Sequence, residues 1–167
     1  MATTIKLSDD IVNEAKRYAE VYSRSTPKQI EYWFNIGKIA EENPDLPYSF
    51  IKEILLAKAE LTDGQVTQYE FGWCLMNILQ TNSFKKTVKK LRKNQKKDLD
   101  VAVKTIVDNP DVGDQKIGDL SGISVYKFKM AKQLILLAYK YENQSITLTL
   151  LALGTHENFY RDLKKFS

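Results

Sequence analysis

The chain has 167 residues, 43% of them hydrophobic and 28% charged, enough for one domain or two small ones with a buried core. No apolar run reaches the roughly 18 residues that cross a bilayer, and Met1–Lys6 lacks the apolar stretch of a signal peptide. The lone cysteine, Cys74, excludes an internal disulfide; no Cys/His cluster suggests zinc, so neither metal nor cofactor is expected, and the expected location is cytoplasmic.

The net charge of +4 is unevenly spread: residues 1–75 carry 8 Lys/Arg against 12 Asp/Glu, and residues 76–167 carry 17 against 9. An acidic half beside a basic half predicts that the two bind each other. It also predicts a polyanion as the second partner of the basic half.

Thr3-Thr4-Ile5-Lys6-Leu7 alternates polar and apolar, as a half-buried strand does. Ser8 is an N-cap, with Asp9 and Asp10 in the first turn of a helix. Ile11, Ala15, Tyr18, Ala19 and Tyr22 mark one face of that helix. Ser23-Arg24-Ser25-Thr26 interrupts it. Thr26 then caps a second helix with Pro27 at its first position. Its expected buried stripe is Ile30, Trp33, Phe34, Gly37 and Ala40, with Gly37 permitting a close helix crossing.

A strand this short needs a partner strand. Strand, helix, helix fits a ribbon-helix-helix that pairs its strand with a second copy and lays the ribbon in the DNA major groove. Thr4 and Lys6 would meet base edges, and the helix N-terminus at Ser25 and Thr26 would meet phosphates. Ile5-Lys6-Leu7-Ser8-Asp9, Ala15-Lys16-Arg17-Tyr18-Ala19-Glu20, Gln29-Ile30-Glu31-Tyr32-Trp33 and Asn43-Pro44-Asp45-Leu46-Pro47 resemble the ParD-like antitoxins of type II toxin–antitoxin systems. The resemblance covers residues 3–59 and implies operator binding by a homodimer.

Pro44 and Pro47 end the second helix. Phe50, Ile51, Ile54 and Leu55 mark a third, roughly over 47–60. Thr62-Asp63-Gly64-Gln65 is a turn, and Val66 to Phe71 is either a strand that adds to a toxin sheet edge or a plain linker. Met76–Gln80 reads as a strand. Ser83 caps a helix carrying Phe84, Val88 and Leu91. Asn94-Gln95 turns the chain into a second helix with Leu99, Ala102, Val103, Ile106 and Val107. Eight Lys/Arg fall between residues 85 and 97, either a solvated face or a contact for RNA phosphates or the acidic half. After a loop with three glycines, Gly113 to Gly122, strands at 123–131, 133–142 and 145–153 predict an antiparallel meander. On the first, Tyr126, Phe128 and Met130 share one face and Lys127 and Lys129 the other. Two adjacent cations on one face call for something anionic over them.

The order strand, helix, helix, three strands and a terminal helix resembles the RelE/ParE toxin superfamily over 76–167. Gly154-Thr155-His156-Glu157-Asn158-Phe159-Tyr160 is similar to the Gly-Thr-His motif of the YafQ and HigB mRNA endonucleases. Tyr126-Lys127-Phe128-Lys129-Met130 is similar to the RelE strand that carries two catalytic lysines. Lys93-Asn94-Gln95-Lys96-Lys97-Asp98 resembles the group called ParE-like toxins.

The resemblance implies an α+β chain: a ribbon-helix-helix antitoxin-like domain over 1–60, a linker or toxin-wrapping segment over 61–75, and a toxin domain over 76–167. The toxin domain would be a helical hairpin on an antiparallel sheet with a C-terminal helix. It implies a metal-independent, ribosome-dependent endoribonuclease with His156, Lys127, Lys129 and Tyr160 at its site and mRNA as substrate. The alternatives are a ParE-like inhibitor of DNA gyrase and an inactive DNA-binding autorepressor. Gln133-Leu134-Ile135-Leu136-Leu137 lacks the arginine that RelE carries on its middle strand, and this chain has one histidine where YafQ uses more. An imidazole suits proton transfer at neutral pH, so His156 is the candidate acid or base, and one lysine with a lowered pKa is a candidate base. Tyr160 is placed to stack on a base.

Overall fold

The structure is a computed structural model that describes residues 4–70, 77–143 and 147–156. Cys74, Met76, Tyr160 and the expected terminal helix lie outside the described residues. The chain divides into two compact units, 1–41 and 42–167.

In the first unit, α1 spans Asp9–Val21 and α2 spans Thr26–Glu42, its last residue already in the second unit. Ser8 holds the N-cap position of α1 in extended backbone, with no side-chain capping bond, and Asp9 and Asp10 sit in the first turn. The helix ends in a Schellman turn. Ser23 takes φ 53°, its N–H donates to Glu20 O, and Arg24 N–H donates to Ala19 O at 2.8 Å. The Ser25 carbonyl accepts from Gln29 N–H at 2.9 Å, so Ser25 and not Thr26 precedes the second helix. Ring packing ties the two helices together: Tyr18 meets Trp33 edge-on at 5.3 Å, and the Arg24 guanidinium lies 4.1 Å over the Tyr32 ring.

Two expectations change here. Among the described residues, 4–8 pair with no strand of this chain, and the ladder partner expected for them is a second copy. The stripe expected on α2 is not its buried face: Phe34 is 69% exposed, and among the described residues a Cβ added at Gly37 would meet nothing within 4 Å, so none of the described helices crosses there. Gln29 and Ile39 are the buried positions of α2. On α1, Ala15 and Ala19 are buried, while Ile11, Tyr18 and Tyr22 stay exposed.

The second unit begins with α3, Tyr48–Thr62. It continues with β1 (Val66–Gln68), β2 (Asn77–Thr81), α4 (Asn82–Lys89), α5 (Lys93–Asp108), β3 (Asp114–Gln115), β4 (Ser124–Met130), β5 (Gln133–Glu142) and β6 (Thr147–Thr155). The strands form one sheet in the order β1-β2-β6-β5-β4-β3. The meander β4-β5-β6 is antiparallel as expected, but β2 pairs with β6 in parallel, Ile78 opposite Leu148 and Gln80 opposite Leu150. The sheet is therefore mixed.

Strand alternation sorts the sheet into two faces. Phe128, Met130, Ile135, Leu137, Tyr139, Leu148, Leu150 and Leu153 cluster with Phe84 of α4 and Leu99, Ala102, Val103 and Ile106 of α5. Across the other face lies α3, whose Phe50, Ile51, Ile54 and Ala57 are buried and which packs on β6 and β2.

Local chemistry moves several boundaries. Thr81, not Ser83, caps α4, its hydroxyl oxygen accepting from Phe84 N–H and its proton going to Leu151 O at 2.8 Å. Asn94-Gln95 is not a turn but the first turn of α5. Gln95 Oε1 accepts from Arg92 N–H at 2.9 Å, half of a capping box, and the chain turns at Lys90–Arg92. Ala131 and Lys132, with φ 47° and 71°, make the tight β4–β5 turn. Gly154 does not break the last strand. It lies inside β6, and a Cβ there would come 2.6 Å from Phe50 Cδ2, so glycine lets α3 lie directly on the strand.

Candidate functional site

Register brings the predicted residues of the sheet together on the face under α3. Lys127 of β4 lies opposite Leu136, and Leu136 opposite Gly154; Lys129 lies opposite Leu134. The His156 N–H donates to Leu134 O at 3.1 Å, extending the β5–β6 ladder by one step. Lys129 and His156 therefore flank Leu134 from either side. Strand spacing puts their backbones about 10 Å apart. His156 is partly exposed and Lys129 exposed. Tyr160 lies outside the described residues, as does the helix whose N-terminus was expected beside His156.

Lys127 is not exposed like Lys129. Its Nζ lies 3.1 Å from Asp45 Oδ2 and 3.0 Å from Asp114 Oδ2. Asp114 is its diagonal neighbour across the β3–β4 ladder, since Asp114 pairs with Val125. Asp45 comes from the Asn43–Pro47 connection between α2 and α3. Burial by itself would lower the Lys127 pKa, but hydrogen bonds to Asp114 and Asp45 outweigh it and hold the ammonium above its ordinary value. Lys127 is thus a fixed cation, and the expectation of a lysine base with a lowered pKa is not met there.

Asp45 also grips Lys116, which follows β3. The Lys116 Nζ donates to Asp45 Oδ1 at 2.9 Å and to Oδ2 at 2.8 Å. Burial would raise the Asp45 pKa; the hydrogen bonds to Lys116 and Lys127 outweigh burial and hold it below the usual carboxylate value. Beside it, Asn43 brackets Ile117. Ile117 N–H donates to Asn43 Oδ1 at 3.2 Å, and Asn43 Nδ2 donates to Ile117 O at 3.4 Å.

The same seam continues along α3. Glu60 Oε2 accepts from Ser83 N–H and from Ser83 Oγ, both at 2.8 Å, and so places a carboxylate at the start of α4. Lys58 Nζ donates to Asp119 O at 2.5 Å. Beyond α3 the chain adds β1 to the outer edge of β2, Thr67 opposite Gln80, with Gln80 Nε2 donating to Gln68 O at 3.0 Å. Of the stretch Val66 to Phe71, expected as either a strand or a linker, Val66–Gln68 forms β1, and Phe71 lies outside the described residues.

Residues 78–164 match the ParE-like toxins of type II bacterial toxin–antitoxin systems. The chain belongs to that family. Residues 2–70 match the ParD-like antitoxins of the same systems. An antitoxin part and a ParE-like toxin part are therefore joined in one chain, and Asn43, Asp45, Lys58, Glu60 and β1 are antitoxin residues lying on the toxin fold.

The isolated RelE toxin of E. coli is similar at 15% identity and a TM-score of 0.40, over 54% of this chain and 97% of that one. A chain of the intact E. coli RelBE toxin–antitoxin complex is similar at 15% identity and 0.40, over 47% of this chain and 93% of that one. A search of curated proteins returned no match. Among the described residues no helix is long and apolar enough to cross a membrane, and no group of three His, Cys, Asp or Glu side chains converges on a metal position.

Sequence reasoning missed Asp45 and Lys116 as site residues. The acidic first half and basic second half signalled that such pairs exist, but nothing local marked these two. Of the residues singled out for DNA, Thr4, Lys6 and Ser25 are exposed and Thr26 is partly so.

Proposed function

We propose that this chain is a self-restrained toxin–antitoxin module whose toxin part is a metal-independent mRNA endoribonuclease and whose antitoxin part binds operator DNA as a dimer. The observation that carries it is the Asp45 carboxylate on Lys127. A cation predicted to face a phosphate is covered by an acid from the antitoxin segment.

Cleavage needs a base for the attacking 2′-hydroxyl, an acid for the departing 5′-oxygen and cations for the phosphorane. His156 is the proton-transfer group. Lys127, once uncovered, and Lys129 face the phosphate, and Tyr160 stacks on a base. On the antitoxin side, the exposed Ile5, Leu7, Ile11 and Phe34 form the surface that a second copy covers. Thr4 and Lys6 read bases in the paired ribbon, and the α2 N-terminus at Ser25 and Thr26 takes a phosphate.

The test is RNA cleavage mapping in cells expressing residues 76–167 under tight control. Acid–base catalysis contributes about 10²–10⁴-fold, so His156→Ala should abolish cleavage and restore growth while the domain stays folded. Folded His156→Ala that remains toxic, with failing supercoiling and broken DNA, would replace the nuclease by a gyrase inhibitor.

A further inference from the structure

We infer that Lys116 is a phosphate-binding residue of the toxin fold and that Asp45 occupies the phosphate position. This rests on the endoribonuclease reading and names a contact that reading does not contain. The Lys116 side chain is 5% exposed, against 35% for Asp45. The cation is built into the fold, and the acid is brought to it from the antitoxin segment. A buried ammonium is costly without an anion. The ion-pair partner described for it here is Asp45, whereas Lys127 also has Asp114 from its own sheet.

The donor set suits a phosphodiester. Both oxygens of the Asp45 carboxylate reach Lys116, and Oδ2 is shared with Lys127. Two ammonium groups thus converge on one small anion, as they would on the two non-bridging oxygens of a phosphate. The Ile117 N–H, next to Lys116, meets the Asn43 side-chain oxygen. When the segment 43–45 lifts away, two cations and a backbone N–H lose acceptors together, and one RNA phosphate can satisfy them. Asn43 and Asp45 act as its stand-in, and the antitoxin and the substrate compete for one set of donors.

The experiment uses the full chain and a fluorescent 2′-O-methyl RNA oligonucleotide, which cannot be cut because its attacking hydroxyl is blocked. Asp45→Asn should bind the oligonucleotide at least about tenfold more tightly than the unaltered chain, as expected for uncovering charge-assisted hydrogen bonds. Its affinity should also fall more steeply with salt. Adding Lys116→Gln should remove the gain. Inorganic phosphate should raise the melting temperature of Asp45→Asn and leave the unaltered chain where it is. If Asp45→Asn folds only in phosphate, that also bears the site out. No tighter binding, a gain that survives Lys116→Gln, or an Asp45→Asn chain that stays unfolded at high phosphate would overturn it. A gain in binding without RNA cleavage in cells would leave Lys116 in place and remove the nuclease reading instead.

Discussion

Asp45 Oδ2 lies 3.1 Å from Lys127 Nζ, an ion pair between a residue in the antitoxin match and one in the toxin match. The Asp45 carboxylate also holds the buried ammonium of Lys116, so its loss is felt by the fold as well as by the site. Asp45→Asn should destabilise the second unit by about 1.5–3 kcal/mol, the range for hydrogen bonds to charged groups. Partial exposure of Asp45 puts the expectation at the lower end. Urea unfolding of the two proteins at neutral pH measures it.

The pH dependence of that difference follows from the two partners. The Asp45 pKa is lowered in the fold, so its contribution is complete above the ordinary 3.8 and is lost as pH falls through the lower folded value. The Lys127 pKa is raised, so its contribution is complete below 10.5 and is lost as pH rises through the higher folded value. The stability gap between the unaltered chain and Asp45→Asn should therefore be flat across neutral pH, close at the acid end and narrow at the alkaline end as Lys127 loses its proton. A gap that instead changes near neutrality would mean that another group holds the seam.

Gly154→Ala should cost about 1–3 kcal/mol, because the added methyl group meets a buried ring that has no room to retreat. Phe50 is 1% exposed and would stand 2.6 Å from that carbon. Phe50→Leu in the same chain should recover part of the loss, a double-mutant coupling readable by urea unfolding. Independent, additive costs would show that α3 does not rest on β6 at this point.

Lys6→Ala should weaken specific operator binding by roughly 1–3 kcal/mol if the side chain reads a base. A gel-shift assay at fixed salt measures it, with a scrambled operator as the control. Unchanged binding would remove residues 4–7 from the DNA interface.

Much of this fold is legible in the sequence, and the reason is local. The apolar spacing of Phe50, Ile51 and Ile54 fixes the buried face of α3, and alternation along Tyr126–Met130 sorts β4 into a core face and a lysine face. Even the need for an anion over the lysines can be read, because like charges on one strand face repel. What escapes is long-range. The parallel pairing of β2 with β6 joins residues 77–80 to 147–150, and no residue in either strand announces it. Asp45 and Lys116 are likewise ordinary in their own neighbourhoods and meet only through the fold. Other misses are choices among equivalent local signals: Thr81, Asn82 and Ser83 are all capable caps, and the sheet geometry selects Thr81 through Leu151 O. The N-terminal stretch and the exposed face of α2 belong to a third kind: in the dimer proposed above, their partner would be another copy of the chain.

In the proposed restraint, the antitoxin segment keeps the toxin part silent through Asp45 on Lys127. Matched expression of the full chain, of residues 76–167 alone, and of 76–167 with 1–75 supplied in trans tests it most directly, with growth as the readout. Normal growth, arrest and recovery are expected, in that order, with no recovery when the trans segment carries Asp45→Ala with Glu60→Ala. Equal growth of the full chain and of 76–167 would contradict it.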